Sequence, residues 1–265
     1  MSVLENILLE INDDKKYGII YLNRPNQYNS LNYQIARELR TTLEKIRDDN
    51  YVNCLLITGK GKAFCSGGDL IEFRNTSDPQ ETISKIAHEL HESIKIIYSI
   101  RIPVIAAING ACFGAGLGLA SACDIRVCSR NATFGSAFTN VGLSPNSSTT
   151  YHLPRIIGIG LASDLILTNR ILTAEEALKF HLVSRIIEPE EKFTEQIIEM
   201  ATKISLGPPI AMALAKESLR KTFQNDLINQ LELETKNVVK SSGTEDFKEG
   251  VNAFLEKRTP NYKGK

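Results

Sequence analysis

Short runs of uninterrupted apolar residues alternate along this chain with longer segments in which apolar positions recur every three or four residues. ENILLEI (5–11) and GIIYLN (18–23) predict a hairpin pair around a polar turn of Asn12, Asp13, Asp14, Lys15 and Lys16. NCLLITG (53–59) and PVIAAI (103–108) are continuous apolar runs of strand length, the pattern of strands covered on both faces. DIRVCS (124–129) and LVSRIIE (182–188) add two more strands. Asn32, a helix-capping residue type, precedes Ala36, Leu39, Leu43 and Ile46 at helical spacing. Residues 79–100 predict a long amphipathic helix with Ile83, Ile86, Leu90, Ile94 and Ile97 on one side. GAGLGLASAC (114–123) reads as a closely packed helix of small residues, and further helices are expected at 160–168 and 173–180. From about residue 190 the strand patterns stop, and helices follow, broken at Gly207-Pro208-Pro209 and Ser241-Ser242-Gly243. Strand–helix alternation followed by an all-helical tail predicts an α/β fold: a parallel-sheet core over 1–200 and a helical module over 201–265.

Composition narrows the functional classes. Apolar residues make up 42% of the 265, enough to bury a substantial core. Thirty-one basic and thirty-one acidic side chains cancel, which argues against a broad basic face for nucleic acid. Cys54, Cys65, Cys112, Cys123 and Cys128 lack paired metal-ligand spacing and read as buried, reduced thiols. The first residues, MSVLENILLEINDDKK, lack a basic segment leading into a long apolar one, and no apolar run reaches the ~18 residues that span a bilayer. The expectation is a cytoplasmic enzyme with no membrane partner.

The candidate chemistry lies in two glycine-rich loops, GKGKAFCSGGD (59–69) and NGACFGAGLG (109–118), each following a buried strand and preceding a helix. Glycines let backbone N–H groups approach a ligand, and a helix N-terminus adds positive partial charge. Two such loops facing each other can hold one carbonyl oxygen between two donors. Taken singly, each also reads as a tight turn. The second is not the dinucleotide-binding G-x-G-x-x-G, and the first lacks the lysine and Ser/Thr ending of a phosphate loop.

Together the segments AFCSGGDL (63–70), IPVIAAINGACFGAGLGLASACDIRV (102–127) and ATFGSAFTNVGLSP (132–145) resemble the successive signatures of the crotonase (enoyl-CoA hydratase/isomerase) family. NRPNQYNSL (23–31), LTAEEALKFHLVSRII (172–187) and EGVNAFLEKRTPNYKG (249–264) extend the resemblance over nearly the whole chain. It implies a crotonase-like spiral of ββα units with a helical C-terminal oligomerisation module, assembled as a homotrimer or homohexamer. It implies an acyl-CoA substrate, no separate cofactor and no metal, and an oxyanion hole from the N–H groups of Gly68 and Ala115. It places coenzyme A near Arg24, Phe64, Ser66, Gly67, Asp69, Leu70, Gly114 and Phe138, with Phe254 and Lys257 contributed by the same or a neighbouring subunit. Arg24 and Lys257 are chemically suited to the ligand's phosphates.

The chain departs from the family at the proton-transferring positions. Gly118 and Phe138 stand where hydratases of the family carry glutamates, and neither can transfer a proton. Residues 132–154 come nearer to the Δ3,Δ2-enoyl-CoA isomerase and ring-opening isomerase branch, which has a catalytic Glu or Asp where this chain has Asn146. Substitute carriers are His152, Glu72 and Cys112. His152 and Cys112 each have a plainer reading, a packed helix residue and a buried thiol, and Glu72 lies one helical turn beyond Asp69, within reach of the pocket. Asp69 is expected to cap the helix after it, His88 and His91 to form a solvated helical pair rather than a metal site, and Thr139 and Asn140 to line an acyl pocket. Two functions remain open: an acyl-CoA enzyme that isomerises or hydrates an enoyl thioester, and a catalytically silent CoA-binding or scaffold protein.

Overall fold

The continuous apolar runs become the central strands of a six-stranded sheet in a computed structural model that describes residues 5–49 and 51–265. β1 (Ile7–Asn12) and β2 (Tyr17–Leu22) form the expected antiparallel hairpin, with Ile7 opposite Leu22. β3 (Cys54–Gly59) then lies parallel to β2, but α1 (Tyr33–Asp49) intervenes in sequence. Next comes β4 (Ala63–Cys65), a three-residue strand, followed by α2 (Leu70–Asn75) and α3 (Pro79–Ser99).

The same arrangement then recurs. β5 (Val104–Ile108) is followed by short β6 (Ala111–Phe113) and α4 (Ala115–Ala122). β7 (Ile125–Ser129) is followed by short β8 (Thr133–Gly135), α5 (Thr149–Ile157) and α6 (Ile159–Thr168). β9 (Leu172–Thr173), α7 (Ala174–Lys179) and β10 (Arg185–Ile187) complete the core. The long strands order β1-β2-β3-β5-β7-β10 in one sheet, and the short ones order β4-β6-β8-β9 in a second. Three successive turns of chain therefore lay one strand in each sheet before their helices, which is the ββα spiral that the resemblance implies. The short strands were not visible as such in the sequence, where they fall inside loop-like stretches.

Alternate residues of the long strands enter two separate cores. Leu55, Ile57, Val104, Ala106 and Ile108 face one core, together with Leu39, Leu43, Leu90 and Ile97 from α1 and α3. Cys54, Leu56, Ile105, Ala107 and Val127 face the other, where Phe193, Ile197 and Ala201 of α8 (Phe193–Ser205) cover them. Burial on both faces explains why these strands read as unbroken apolar runs. α8 straddles the expected boundary at residue 200, so the sheet's outer face is closed by the start of the helical tail. α9 (Pro209–Lys221), α10 (Leu227–Ser242) and α11 (Glu245–Leu255) follow. Within α10 Asn237 is buried, whereas Leu227, Ile228, Leu231, Val238 and Val239 are exposed. Among the described residues no single helix is long and apolar enough to cross a membrane.

The tail is tied to the core by buried charge. Asp124, immediately before β7, accepts from Lys216 Nζ at 2.7 Å and Arg220 Nη2 at 2.5 Å, both on α9. Its Oδ2 also accepts the Val104 N–H at 2.8 Å. Lys216 donates further to the carbonyls of Ile97 and Ile102, while burial pulls its pKa below the usual lysine value despite Asp124. Removing one partner of a buried ion group strands the others. Asp124→Ala is expected to lower the unfolding free energy by about 3–5 kcal/mol, measured by urea denaturation. A loss below about 1 kcal/mol, the scale of a surface pair, would show that solvent already screens the cluster.

Candidate active site

The two glycine-rich loops meet at the N-terminus of α4. The peptide joining Gly67 to Gly68 sends its carbonyl to the Leu31 N–H at 2.7 Å. A trans peptide points its N–H the opposite way, so the Gly68 N–H faces away from that contact. The Gly114 carbonyl accepts the Gly118 N–H at 3.1 Å along the axis of α4, so the Ala115 N–H points back out of the helix start. Neither N–H has an acceptor among the described residues. The segments are in contact: a Cβ built on Gly67 would lie 3.6 Å from the Gly114 Cα and 3.7 Å from the Ala115 nitrogen. Gly67 (φ +103°) and Gly114 (φ +52°) hold backbone conformations that side-chain-bearing residues rarely adopt.

These donors open into a cavity of about 670 Å³. Gly67, Gly68, Gly114 and Ala115 form its floor, and α3 supplies one wall through Ile83, Ile86, Ala87, Leu90 and His91. The segment 137–150 supplies the facing wall, including Phe138, Leu143, Pro145 and Asn146. Among the described residues no Asp or Glu lines the cavity, and His91 is the one lining side chain bearing an imidazole or carboxyl group. His91 Nε2 and Asn146 Oδ1 are 2.5 Å apart; His91 is exposed, as expected of a solvated pair, and it also stands on the cavity wall. Its signal was present: Ile83, Ala87 and His91 recur every four residues on one helix face. Among the described residues no cluster of three or more His, Cys, Asp or Glu could hold a metal ion.

Of the other residues singled out in the sequence, Ser66, Leu70 and Asn140 also line the cavity. Phe64 is fully buried beneath the first loop. Asp69 accepts the N–H groups of Ile71 and Glu72 as the cap of α2. Arg24 is engaged within the protein: its Nη2 pairs with Asp69 at 2.9 Å and its Nη1 donates to the Ser30 carbonyl at 2.5 Å. Thr139 bonds the Ile166 carbonyl and Asn169 and does not line the cavity, nor does Glu72, which accepts the Tyr33 N–H. Phe254 and Lys257 lie at the end of α11, and neither lines the cavity of its own chain. Burial pushes the Cys112 thiol far up, which leaves it a protonated packing residue.

Of the two positions where the resemblance implies a hydratase's glutamates, Gly118 leaves no room for a side chain. A Cβ on Gly118 would lie 2.2 Å from the Ser147 carbonyl oxygen and 2.8 Å from the Ser147 Cβ. Phe138 presents a ring to the cavity instead.

His152 stands outside the cavity, in a separate pocket with Tyr98, Arg126, Arg155 and Arg220. Its Nδ1 is 2.9 Å from the Ser148 Oγ. Burial, reinforced by Arg220, Arg126 and Arg155, pushes its pKa down to about 4. The folded protein thus binds this proton less readily than the unfolded chain, where histidine titrates near ~6.5. The resulting stability is complete above about pH 6.5 and is lost as pH falls toward about 4, by roughly 3 kcal/mol in all. Denaturation across this range should show that loss, and His152→Gln should flatten it; equal slopes for both proteins would assign the effect to other groups.

The sequence model of the enoyl-CoA hydratase/isomerase family matches residues 14–265. Among similar proteins, the crotonyl-CoA hydratase of Syntrophomonas wolfei subsp. wolfei is 34% identical over 97% of this chain and 98% of its own length. The short-chain-enoyl-CoA hydratase of Clostridium acetobutylicum is 33% identical over 96% of each chain. The crystal structure of an enoyl-CoA hydratase from Bacillus anthracis superposes with a TM-score of 0.92 at 36% identity, covering 98% of this chain and all of that one.

Proposed function

The chain is an enzyme of the enoyl-CoA hydratase/isomerase family, and on that footing we propose that its cavity holds the thioester end of an enoyl-CoA and shifts a proton along it rather than adding water. The observation that carries the thioester part of this reading is the pair of unpartnered N–H groups of Gly68 and Ala115, both in the lining of one cavity. Two such donors stabilise the negative charge that develops on a thioester oxygen as an enolate forms, and they favour the enolate over the neutral carbonyl. Hydration in this family's two-glutamate manner needs carboxylates where Gly118 and Phe138 stand, and the Ser147 backbone fills the space at Gly118. A double-bond shift needs only one such group, and the resembling isomerases carry it at the position of Asn146, whose amide cannot take up the proton, so the native shift is expected to be slow.

In this reading Ser66, Gly67, Leu70 and Gly114 flank the bound thioester, while Phe64, Arg24 and Asp69 support the first loop from behind. Phe254 and Lys257 reach a ligand from a neighbouring copy. The exposed apolar residues of α10 support a homotrimer or homohexamer, and light scattering in dilute buffer should give at least three times the 29.4 kDa chain mass. A monomer peak would remove both the assembly and the cross-subunit contact.

The absence of a carboxylate in the cavity supports a second reading, a CoA-thioester binder without turnover, and position 146 separates the two. The native chain is expected to isomerise trans-3-hexenoyl-CoA slowly. Asn146→Asp changes little volume and supplies a carboxylate at the wall, and should raise that rate by about 10²-fold or more, the scale of one positioned base. Fast native hydration of crotonyl-CoA would sink the proton-shift reading. Thioester binding with no turnover of either substrate by the native chain would favour the silent one.

A further inference from the structure

The hydrogen bonds around Asn146 determine which end of its amide meets the ligand. The Ser147 backbone N–H donates to the Asn146 Oδ1. A backbone N–H cannot accept, so the atom it meets is the carbonyl oxygen, and the orientation of the amide follows from chemistry. His91 Nε2 lies 2.5 Å from the same Oδ1 and is therefore the protonated, donating ring nitrogen. Both lone-pair directions of Oδ1 are thus occupied from the protein side. The remaining capacity of the amide is its Nδ2 hydrogens, and Nδ2 has no acceptor among the described residues. Asn146 lines the same cavity as Gly68 and Ala115, and much of the wall around it is apolar, with Ile83, Ile86, Leu90 and Leu143.

We propose that Asn146 is a specificity-determining donor, and that the site takes, beside enoyl thioesters, acyl thioesters bearing an oxygen acceptor on the third or fourth carbon of the acyl chain, which it can enolise at the second carbon but not isomerise. An unsubstituted chain would press methylenes against two unpaired N–H groups, which is unfavourable once water is excluded. A keto oxygen in that place accepts from Nδ2 while the thioester carbonyl occupies the two backbone donors. His91 is a positioning residue here: its Nε2–H, with the Ser147 N–H, keeps Oδ1 turned away from the ligand. The inference rests on the thioester-binding reading and names the substrate class of that same site.

The experiment compares 3-oxopentanoyl-CoA and 4-oxopentanoyl-CoA with pentanoyl-CoA by isothermal titration calorimetry. The native protein should bind at least one oxo thioester about tenfold more tightly than pentanoyl-CoA. In Asn146→Leu that preference should vanish while pentanoyl-CoA still binds, which also shows that the variant is folded. Tight binding of an enolised 3-oxo chain through the backbone donors alone would survive Asn146→Leu and would overturn the proposal. In Asn146→Asp a carboxylate oxygen would face the keto oxygen, so the preference should invert; this arm decides the matter if the leucine variant fails to fold. His91→Leu should lower the oxo-to-alkyl ratio and His91→Gln, which keeps a donor, should restore it. Equal affinity of the native protein for all three ligands overturns the role of Asn146 and leaves thioester binding intact. No binding of any of them overturns both.

Discussion

The steric constraint on which the site depends is the contact of α4 with the two loops beside it. All eight residues of this helix are buried. A Cβ on Gly116 would lie 2.4 Å from the Cys65 carbonyl oxygen, and one on Gly118 would lie 2.2 Å from that of Ser147. Any larger residue at either position would push the helix off a backbone atom, which cannot rotate aside as a side-chain tip can. The contact at Gly116 holds the start of α4 against the first loop, and so keeps Ala115 and Gly68 in the lining of the same cavity. The contact at Gly118 draws the Ser147 turn inward, and so brings Asn146 to the cavity. One packing requirement thus places the donor pair and removes the room for a carboxylate on the helix.

A second layer of support comes from charges kept out of water. Asp124 joins the start of β7 to α9, and its partner Lys216 reaches the carbonyls that end α3 and precede β5. Because α3 forms one wall of the cavity, this cluster fixes the C-terminal end of the helix that carries His91. Arg24 and Asp69 do the equivalent for the first loop, since Asp69 caps α2 with one oxygen and pairs with Arg24 through the other. Arginine pairing and backbone hydrogen bonds outweigh burial and hold the Asp69 carboxyl below its ordinary pKa, so it stays an anion at neutral pH.

The long strands, the helices and both loops were legible because each has a signal in its own stretch of chain: an unbroken apolar run, a 3.6-residue period or a cluster of glycines. β4, β6 and β8 were not, because three-residue strands such as Ala63–Cys65 are too short to show alternation. Asp69 was read correctly as a cap, since a cap acts on residues two and three positions away. Arg24 illustrates the opposite case. Its partner Asp69 lies 45 positions later, so their pairing is made by the fold alone and has no local signal. His91 was missed for a related reason: its partner Asn146 is 55 residues distant, and exposure on a helix is the ordinary fate of a histidine beside glutamates.

The turn at Asn146 shows how backbone strain is turned to positioning. Ser147 and Ser148 both adopt left-handed conformations, with φ of +55° and +59°, where glycine would sit without cost. Such residues cost of order 1–3 kcal/mol each and persist when their surroundings over-determine them. Here the surroundings are specific: the Ser147 carbonyl and Cβ pack on Gly118, and the Ser148 Oγ meets His152 Nδ1. Those two contacts hold the turn from below, so the Ser147 N–H is aimed before any ligand arrives. That N–H orients the Asn146 amide, and His91 completes the constraint from across the cavity. An amide held at its oxygen from two sides has little rotational freedom left to lose on binding, so its free N–H groups act as a preorganised donor rather than as an adaptable contact.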